Sequence, residues 1–302
     1  MQDQLGIDNL AKRNGAYVAA APLSPATFAF MSSLGVDLLD LLGSSETCGP
    51  QTTNTPGLGL RPGTVGRSYF GIDNKILEPD ADGVGELITR SRNVFMGYAA
   101  NEAKTREAFT EDAWFRSGDL AKISEDGFVS LQGRQKELII TSGGENIAPT
   151  PIENRLLKAM PFVNVAVVAG EQRKFLTCVL TLKVVPNELG QPTDQLDPTV
   201  KNWCESLGHK GTMSTPKDFV ETYASCPKMQ EAVQKCLDEV NGEAISNPAK
   251  VQKVTFLPLS FSIDGGELGP TLKLKRFVIY DKYSDVIDKM YAGEAMNRPN
   301  KC

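Results

Sequence analysis

Gly133 to Glu153 reads GRQKELIITSGGENIAPTPIE. Arg134 and Lys136 stand one residue apart, and Leu138 to Thr141 follow as an apolar, β-prone run of the length of one buried strand. Ser142, Gly143 and Gly144 then make a loop in which a ligand can come close to the backbone. Pro149 and Pro151 mark a helix start near Ile152, since proline suits a first turn that has no donor to lose. The same residues also suit a surface hairpin with ordinary charges, so the flanking sequence has to decide between the two.

The chain has 302 residues, enough for two domains with a sizeable core. Hydrophobic residues at 41% and charged residues at 23% are an ordinary soluble composition. A net charge of -5 argues against phosphate-backbone binding, so no nucleic-acid partner is expected. Met1 to Leu10 carries two aspartates and no apolar core, unlike a secretory signal. Pro22 and Pro25 interrupt the longest apolar region, Ala16 to Val36, which makes it a poor membrane span. Six scattered cysteines (Cys48, Cys178, Cys204, Cys226, Cys236 and Cys302) and the single His209 show no paired metal spacing and suit a reducing cytosol. A cytoplasmic location is expected, with room for peripheral membrane association.

Outward from the opening stretch, the expected class is α/β plus α+β. Residues 1–60 suggest part of an α/β sheet: a strand at Ala16 to Ala21, a helix capped by Ser24 with Phe28, Met31 and Leu34 on its apolar face, and a second strand at Val36 to Leu42. Residues 61–133 read as short strands and turns, with Asp126-Gly127 a strong hairpin signal and a helix near Glu102 to Phe109. A small barrel-like subdomain is expected there. Beyond a boundary at 134–137, helix Ile152 to Ala159 and strands Asn164 to Ala169, Cys178 to Val184 and Val251 to Leu257 imply an α+β domain reaching residue 302. Pro186 to Pro198 looks like a polar linker, and Thr199 to Leu207 and Met229 to Asn241 are amphipathic.

Four short segments carry groups suited to chemistry. In Gly43-Ser44-Ser45-Glu46-Thr47, hydroxyls can bind phosphate oxygens and Glu46 can hold Mg²⁺, although a helix cap would use the same residues. Ser117-Gly118-Asp119 places a carboxylate on a tight turn, fit for two neighbouring sugar hydroxyls or for simple turn termination. Arg134 sets a fixed cation beside it, in what is otherwise a solvated charge cluster. Lys273 and Lys275 would share one face of a strand, where lysine either meets charge growing on a phosphoryl group or guards an edge.

Taken in order, these segments resemble the adenylate-forming (acyl-activating) superfamily. Gly43 to Glu46 looks like its Tyr-Gly-x-Thr-Glu motif, and Ala19-Ala20-Ala21-Pro22-Leu23 like its adenine loop. Gly85 to Tyr98 (GELITRSRNVFMGY) is similar to its Gly-Glu-Leu…Gly-Tyr segment. Ser117 to Asp119 is similar to the ribose motif, Gly133 to Glu153 to the hinge and following loop, and Gly269 to Arg276 to the C-terminal lysine motif. The wording SETCGPQT, ITSGGENIAPTPIEN and GELGPTLKLKR most resembles bubblegum-type long-chain acyl-CoA synthetases.

The resemblance implies that ATP, Mg²⁺ and coenzyme A serve the ligation of a long-chain fatty acid, first to acyl-AMP and then to the thioester. It assigns Ala20, Ala21 and Pro22 to adenine, Ser45 to phosphate, Glu46 to Mg²⁺, and Asp119 and Arg134 to ribose. Lys275 would serve adenylation, Lys136 would be the pivot, and Ser142, Gly143, Gly144 and Glu145 would serve the thioester step. Residues 1–133 would then be an incomplete adenylation domain and 134–302 a mobile C-terminal lid. Two departures follow: Leu42 stands where an aromatic residue is usual, and the phosphate loop has no counterpart before Ala19. The expectation is a C-terminal portion of such a synthetase, with a non-catalytic nucleotide- or CoA-binding fragment that associates with a full-length synthetase as the alternative.

Overall fold

The computed structural model describes Gly6, residues 16–19, 23, 25–57, 59–209, 211 and 213–292. Backbone packing divides the chain into Met1–Lys136 and Glu137–Cys302. Ala20, Ala21, Pro22 and Ser24 lie outside the described residues.

In the first unit, β1 (Ala16–Val18) runs parallel to β2 (Leu38–Ser44), and α1 (Pro25–Ser33) makes the crossover that parallel pairing requires. Phe28, Val36 and Leu38 are buried between helix and strands, with Val18 and Met31 packed against them. β3 (Gly49–Thr53) and β4 (Arg67–Ser68) extend the sheet antiparallel. A second sheet is a meander of β5 (Ile72–Leu77), β6 (Val84–Ser91), β7 (Phe115–Ile123) and β8 (Val129–Arg134). Helix α2 (Glu102–Glu107) lies between β6 and β7, capped by the Asn101 side chain. Buried amides and hydroxyls tie the sheets together: Gln51 Nε2 donates to Thr89 Oγ1 at 2.7 Å, and Thr89 Oγ1 to Asn74 Oδ1 at 2.6 Å.

The barrel-like expectation for 61–133 is corrected: the meander is open. Four strands are too few to close by pairing first to last. Instead Val65 and Gly66 lie along the outer edge of β8, with Val65 N–H donating to Val129 O at 2.9 Å and Val129 N–H to Gly66 O at 2.8 Å. Val65 adds its side chain to the core of Leu87, Ala121 and Val129. Gly66 has φ +80°, and a Cβ there would lie 1.9 Å from the Thr53 carbonyl carbon, so no larger residue fits this strap.

In the second unit, β9 (Ile139–Ile140) and β10 (Asn146–Ile147) form a short hairpin, followed by α3 (Pro149–Ala159). The buried strand expected at Leu138 to Thr141 is thus only two residues long, and Ile140 is 42% exposed. The helix starts at Pro149 rather than Ile152, because both prolines fit its first turn. β11 (Val163–Ala169) pairs antiparallel with the wholly buried β12 (Leu176–Leu182).

The expected linker contains an antiparallel hairpin, β13 (Val184–Pro186) with β14 (Pro192–Leu196). Asn187 Oδ1 closes its turn by accepting from Leu189 and Gln191 N–H. Helices α4 (Pro198–Ser206), α5 (Pro216–Ser225) and α6 (Pro227–Gly242) follow, then β15 (Val251–Phe256), parallel to β12. Helix α5 was not expected from apolar spacing; Thr215 and Asp218 give it a reciprocal capping box. One core packs Phe162, Leu180, Phe219 and Val233 on one side of the sheet. A second packs Val167, Val179 and Phe261 against α7 (Arg276–Lys282) and α8 (Ser284–Met290). Among the described residues no helix is long and apolar enough to cross a membrane.

Candidate active site

Gly43 to Thr47 is the end of β2 and its turn into β3, which corrects the helix-cap alternative. The buried Thr47 hydroxyl accepts from Ser44 N–H at 3.0 Å and lies 2.9 Å from Gly49 O, its acceptor. Ser45 at the tip is exposed and Glu46 half-buried. Glu46 Oε1 accepts from the Tyr98 hydroxyl at 3.0 Å, its carbonyl accepts from Phe95 N–H at 2.7 Å, and Asn93 Nδ2 donates to Thr47 O at 2.6 Å. The segment ending at Tyr98 therefore braces the loop that carries Ser45 and Glu46. Burial, then the Glu46 hydrogen bond and its charge, raise the Tyr98 hydroxyl above its ordinary range. Among the described residues no group of three or more His, Cys, Asp or Glu side chains is placed to hold a metal. The lone Glu46 suits Mg²⁺, which takes most of its ligands from substrate phosphates and water.

A Cβ on Gly43 would lie 2.3 Å from Gly49 O across this hairpin. Gly43→Ala is accordingly expected to cost about 1–3 kcal/mol, read as a lower midpoint in thermal melting.

Asp40, on β2, was not singled out by sequence reasoning; its only signal is an acid inside an apolar run. Burial pushes its carboxyl up to about 6, opposed by hydrogen bonds from the backbone N–H of Leu23 and Leu41. It thereby holds the residue that follows Pro22.

Asp119 and Arg134 face each other across β7 and β8, with Arg134 Nε 3.0 Å from Asp119 Oδ1. The Asp119 carboxylate is largely buried, whereas the guanidinium is 56% exposed and reaches solvent. Glu86 shapes the turn: its Oε2 takes Arg116 Nε at 2.8 Å and Nη2 at 2.7 Å, and its Oε1 takes Gly118 N–H at 3.1 Å. Gly118 sits at φ +70°, and Ser117 Oγ donates to Leu87 O at 2.6 Å while accepting from Asp119 N–H at 3.0 Å. The sequence motif named the carboxylate but not Glu86, the group that aims it.

In the second unit, Ser142, Gly143 and Gly144 are an exposed turn between β9 and β10. Buried Thr141 closes it, its N–H donating to Glu145 O at 3.0 Å and its carbonyl accepting from Gly144 N–H at 2.9 Å. Gly144 has φ +79°, and nothing stands within 4 Å of the Cβ it lacks. Ser142 N–H is held by Arg173 O at 2.9 Å, and Glu145 Oε1 by the Ser246 hydroxyl. Lys136 is exposed in the 3₁₀ turn Gln135–Glu137.

The strand expected at Lys273 to Lys275 is corrected to a turn with one bridge, Leu268 to Leu274. Leu272, at φ +60°, bends the chain too sharply for a longer ladder. Leu274 packs on the second core, and both lysines stay exposed. Lys275 N–H donates to Glu267 O at 2.8 Å, and Lys275 O accepts from Ile279 N–H at 3.1 Å. Arg276 places both terminal nitrogens on the Glu153 carboxylate at 2.6 Å and its Nε on Glu137 Oε2 at 2.9 Å. Burial alone would lower the Arg276 guanidinium, but Glu153, then Tyr280 and Glu137, outweigh it and hold the group strongly protonated.

Two matches to known families cover complementary parts of the chain: AMP-binding enzyme over residues 7–99 and AMP-binding enzyme C-terminal domain over 136–212. The chain belongs to the adenylate-forming superfamily. It is 43% identical over 290 residues to long-chain-fatty-acid–CoA ligase ACSBG2 of Gallus gallus, covering 95% of this chain and 37% of that protein. It is 38% identical over 291 residues to ACSBG1 of Homo sapiens, covering 95% and 39%. The chain thus spans about two fifths of the length of these relatives. Among solved adenylate-forming structures, the A domain of carboxylic acid reductase from Segniliparus rugosus, in complex with AMP and a co-purified carboxylic acid, is similar with TM-score 0.65 and 23% identity, over 93% of this chain and 39% of that one. ATP-bound MatB from Rhodopseudomonas palustris is similar with TM-score 0.62 and 24% identity, over 90% and 46%. These likenesses establish the shared fold.

Proposed function

We propose that this chain carries the nucleotide-holding and lid parts of an ATP-dependent long-chain fatty acid–CoA ligase. In that reaction a fatty carboxylate oxygen attacks the α-phosphorus of ATP and the bond to pyrophosphate breaks, giving acyl-AMP. The coenzyme A sulfur then attacks the acyl carbon, losing its proton as AMP departs. Asp119 and Arg134 hold the ribose, Ser45 meets phosphate, and Ala20, Ala21 and Pro22 line the adenine. Mg²⁺ at Glu46 would neutralise phosphate charge. Lys275 supplies the cation of the first step, Ser142, Gly143, Gly144 and Glu145 serve the second, and Lys136 is the pivot of the lid, residues 134–302.

The observation that carries the reading is the Asp119–Arg134 pair. A buried carboxylate, aimed by Glu86 and Ser117, stands beside a solvent-reaching guanidinium, and this is the arrangement a vicinal diol needs. The resemblance to ACSBG-type ligases supports the acid and thiol substrates.

Titration calorimetry with ATP tests the nucleotide half of the reading. Asp119→Ala is expected to weaken binding at least about tenfold, the loss of one or two hydrogen bonds to a charged acceptor, and unchanged affinity would reject the assignment. ATP–pyrophosphate exchange with palmitate tests the ligase half. ATP binding without exchange would leave a nucleotide-binding unit and overturn ligation by this chain.

A further inference from the structure

The ion pairs around Arg276 join three separate segments of the second unit. Glu153, on α3, accepts both ends of the guanidinium fork and also takes Val168 N–H at 2.9 Å, so it is anchored to β11. Glu137, in the 3₁₀ turn beside Lys136, takes the remaining Nε. Arg276 directly follows Lys275, whose own N–H and carbonyl are both engaged. Lys275 thus keeps little freedom beyond its side-chain torsions, and the turn at Glu137 is bonded to its chain neighbour. The two carboxylates are unequal. The Glu153 side chain is 6% exposed and that of Glu137 34%, so the first is a fixed anchor and the second an accessible contact.

We propose that Glu137 and Arg276 are positioning residues for Lys275, and that the Glu137–Arg276 contact transmits the backbone conformation of the Lys136–Glu137 turn to that lysine. This deepens the ligase reading and rests on it for the role of Lys275. The brace is testable without that role.

Glu137→Ala removes the accessible contact and leaves the Arg276–Glu153 fork in place, so the unit should still fold. Glu137→Gln keeps an oxygen that can accept the Nε–H. In the chain as it stands, amide hydrogen exchange across residues 274–277 is expected to accelerate about tenfold in Glu137→Ala and to stay within about twofold of the parent in Glu137→Gln, the difference being one charge-assisted hydrogen bond. Unchanged exchange in Glu137→Ala, or equal effects of the two variants, would overturn the brace.

The second measurement compares half-reactions. Palmitate-dependent ATP–pyrophosphate exchange is expected to fall about fivefold to tenfold in Glu137→Ala, while thioester formation from supplied palmitoyl-AMP and coenzyme A changes less than about twofold. Equal loss in both would make Glu137 merely structural and overturn the positioning role. If the parent chain shows no ATP–pyrophosphate exchange, the ligase reading fails, and with it the role of the brace in adenylation; hydrogen exchange still decides whether the brace exists.

Discussion

Lys275→Ala is expected to slow palmitoyl-AMP formation by roughly 10²–10³-fold, the usual loss on removing one preorganised group that meets developing charge. Thioester formation from supplied palmitoyl-AMP should stay within about threefold of the parent. The asymmetry follows from charge. Negative charge accumulates on the phosphoryl oxygens as pyrophosphate leaves, and a lysine ammonium meets it there, whereas thiol attack on the acyl carbon has no use for that cation. Lys275 suits the role because its backbone is held at both ends while its side chain is exposed. Lys273 provides an internal control. It is exposed too, but its carbonyl accepts from Gly269 N–H within the turn and it is not the residue joined to Arg276. Lys273→Ala should therefore cost far less. Equal losses in both half-reactions, or equal losses for the two lysines, would remove Lys275 from the adenylation step.

The largest effect on stability should come from Glu153→Ala. This substitution leaves the guanidinium of Arg276, whose side chain is 12% exposed, with Glu137 as its remaining carboxylate, and deprives Val168 N–H of its acceptor. Breaking a buried ion pair by removing one partner typically costs about 3–5 kcal/mol, because the remaining charge stays desolvated. A midpoint shift of roughly 10 °C is expected for a unit of this size. The two tryptophans separate the readout by unit. Trp203 stacks on Phe162 at 4.1 Å in the second unit, whereas Trp114, under Lys75 and Arg90, belongs to the first. Trp203→Phe and Trp114→Phe backgrounds would assign the shifted transition. A shift below about 1 kcal/mol would mean that Glu137 and water suffice for Arg276.

Much of the fold was legible because local chemistry and tertiary structure agree. Asp126-Gly127 turns a hairpin, with Gly127 at φ +85°, Pro149 opens a helix, and the amphipathic stretches at Thr199 to Leu207 and Met229 to Asn241 lie on α4 and α6. The misses are places where distant groups decide. Strands β5 to β8 alternate as a small barrel would, and only the strap at Val65 and Gly66 shows that the edge is covered rather than closed. Helix α5 rests on a capping box, and α7 follows a lysine-rich turn whose composition suggests an edge strand.

The same limit applied to the candidate site. Asp119, Arg134, Glu46 and Lys275 stood out through the motifs around them. Glu86, Tyr98 and Glu153 also fall in quoted segments, but what they support did not show, since Tyr98 lies 52 residues from Glu46, Glu86 lies 32 from Gly118, and Glu153 lies 123 from Arg276. No local period connects residues so far apart.

The Thr47 hydroxyl, closed on Ser44 and Gly49 inside the β2–β3 turn, has a kinetic consequence. With Ser45 assigned to phosphate as proposed, a loop closed in this way would present its hydroxyl already in place, and an arriving phosphate would pay little conformational entropy. Nucleotides that differ only around the phosphates should then associate at similar speeds, and any preference among them should appear in how long each one stays.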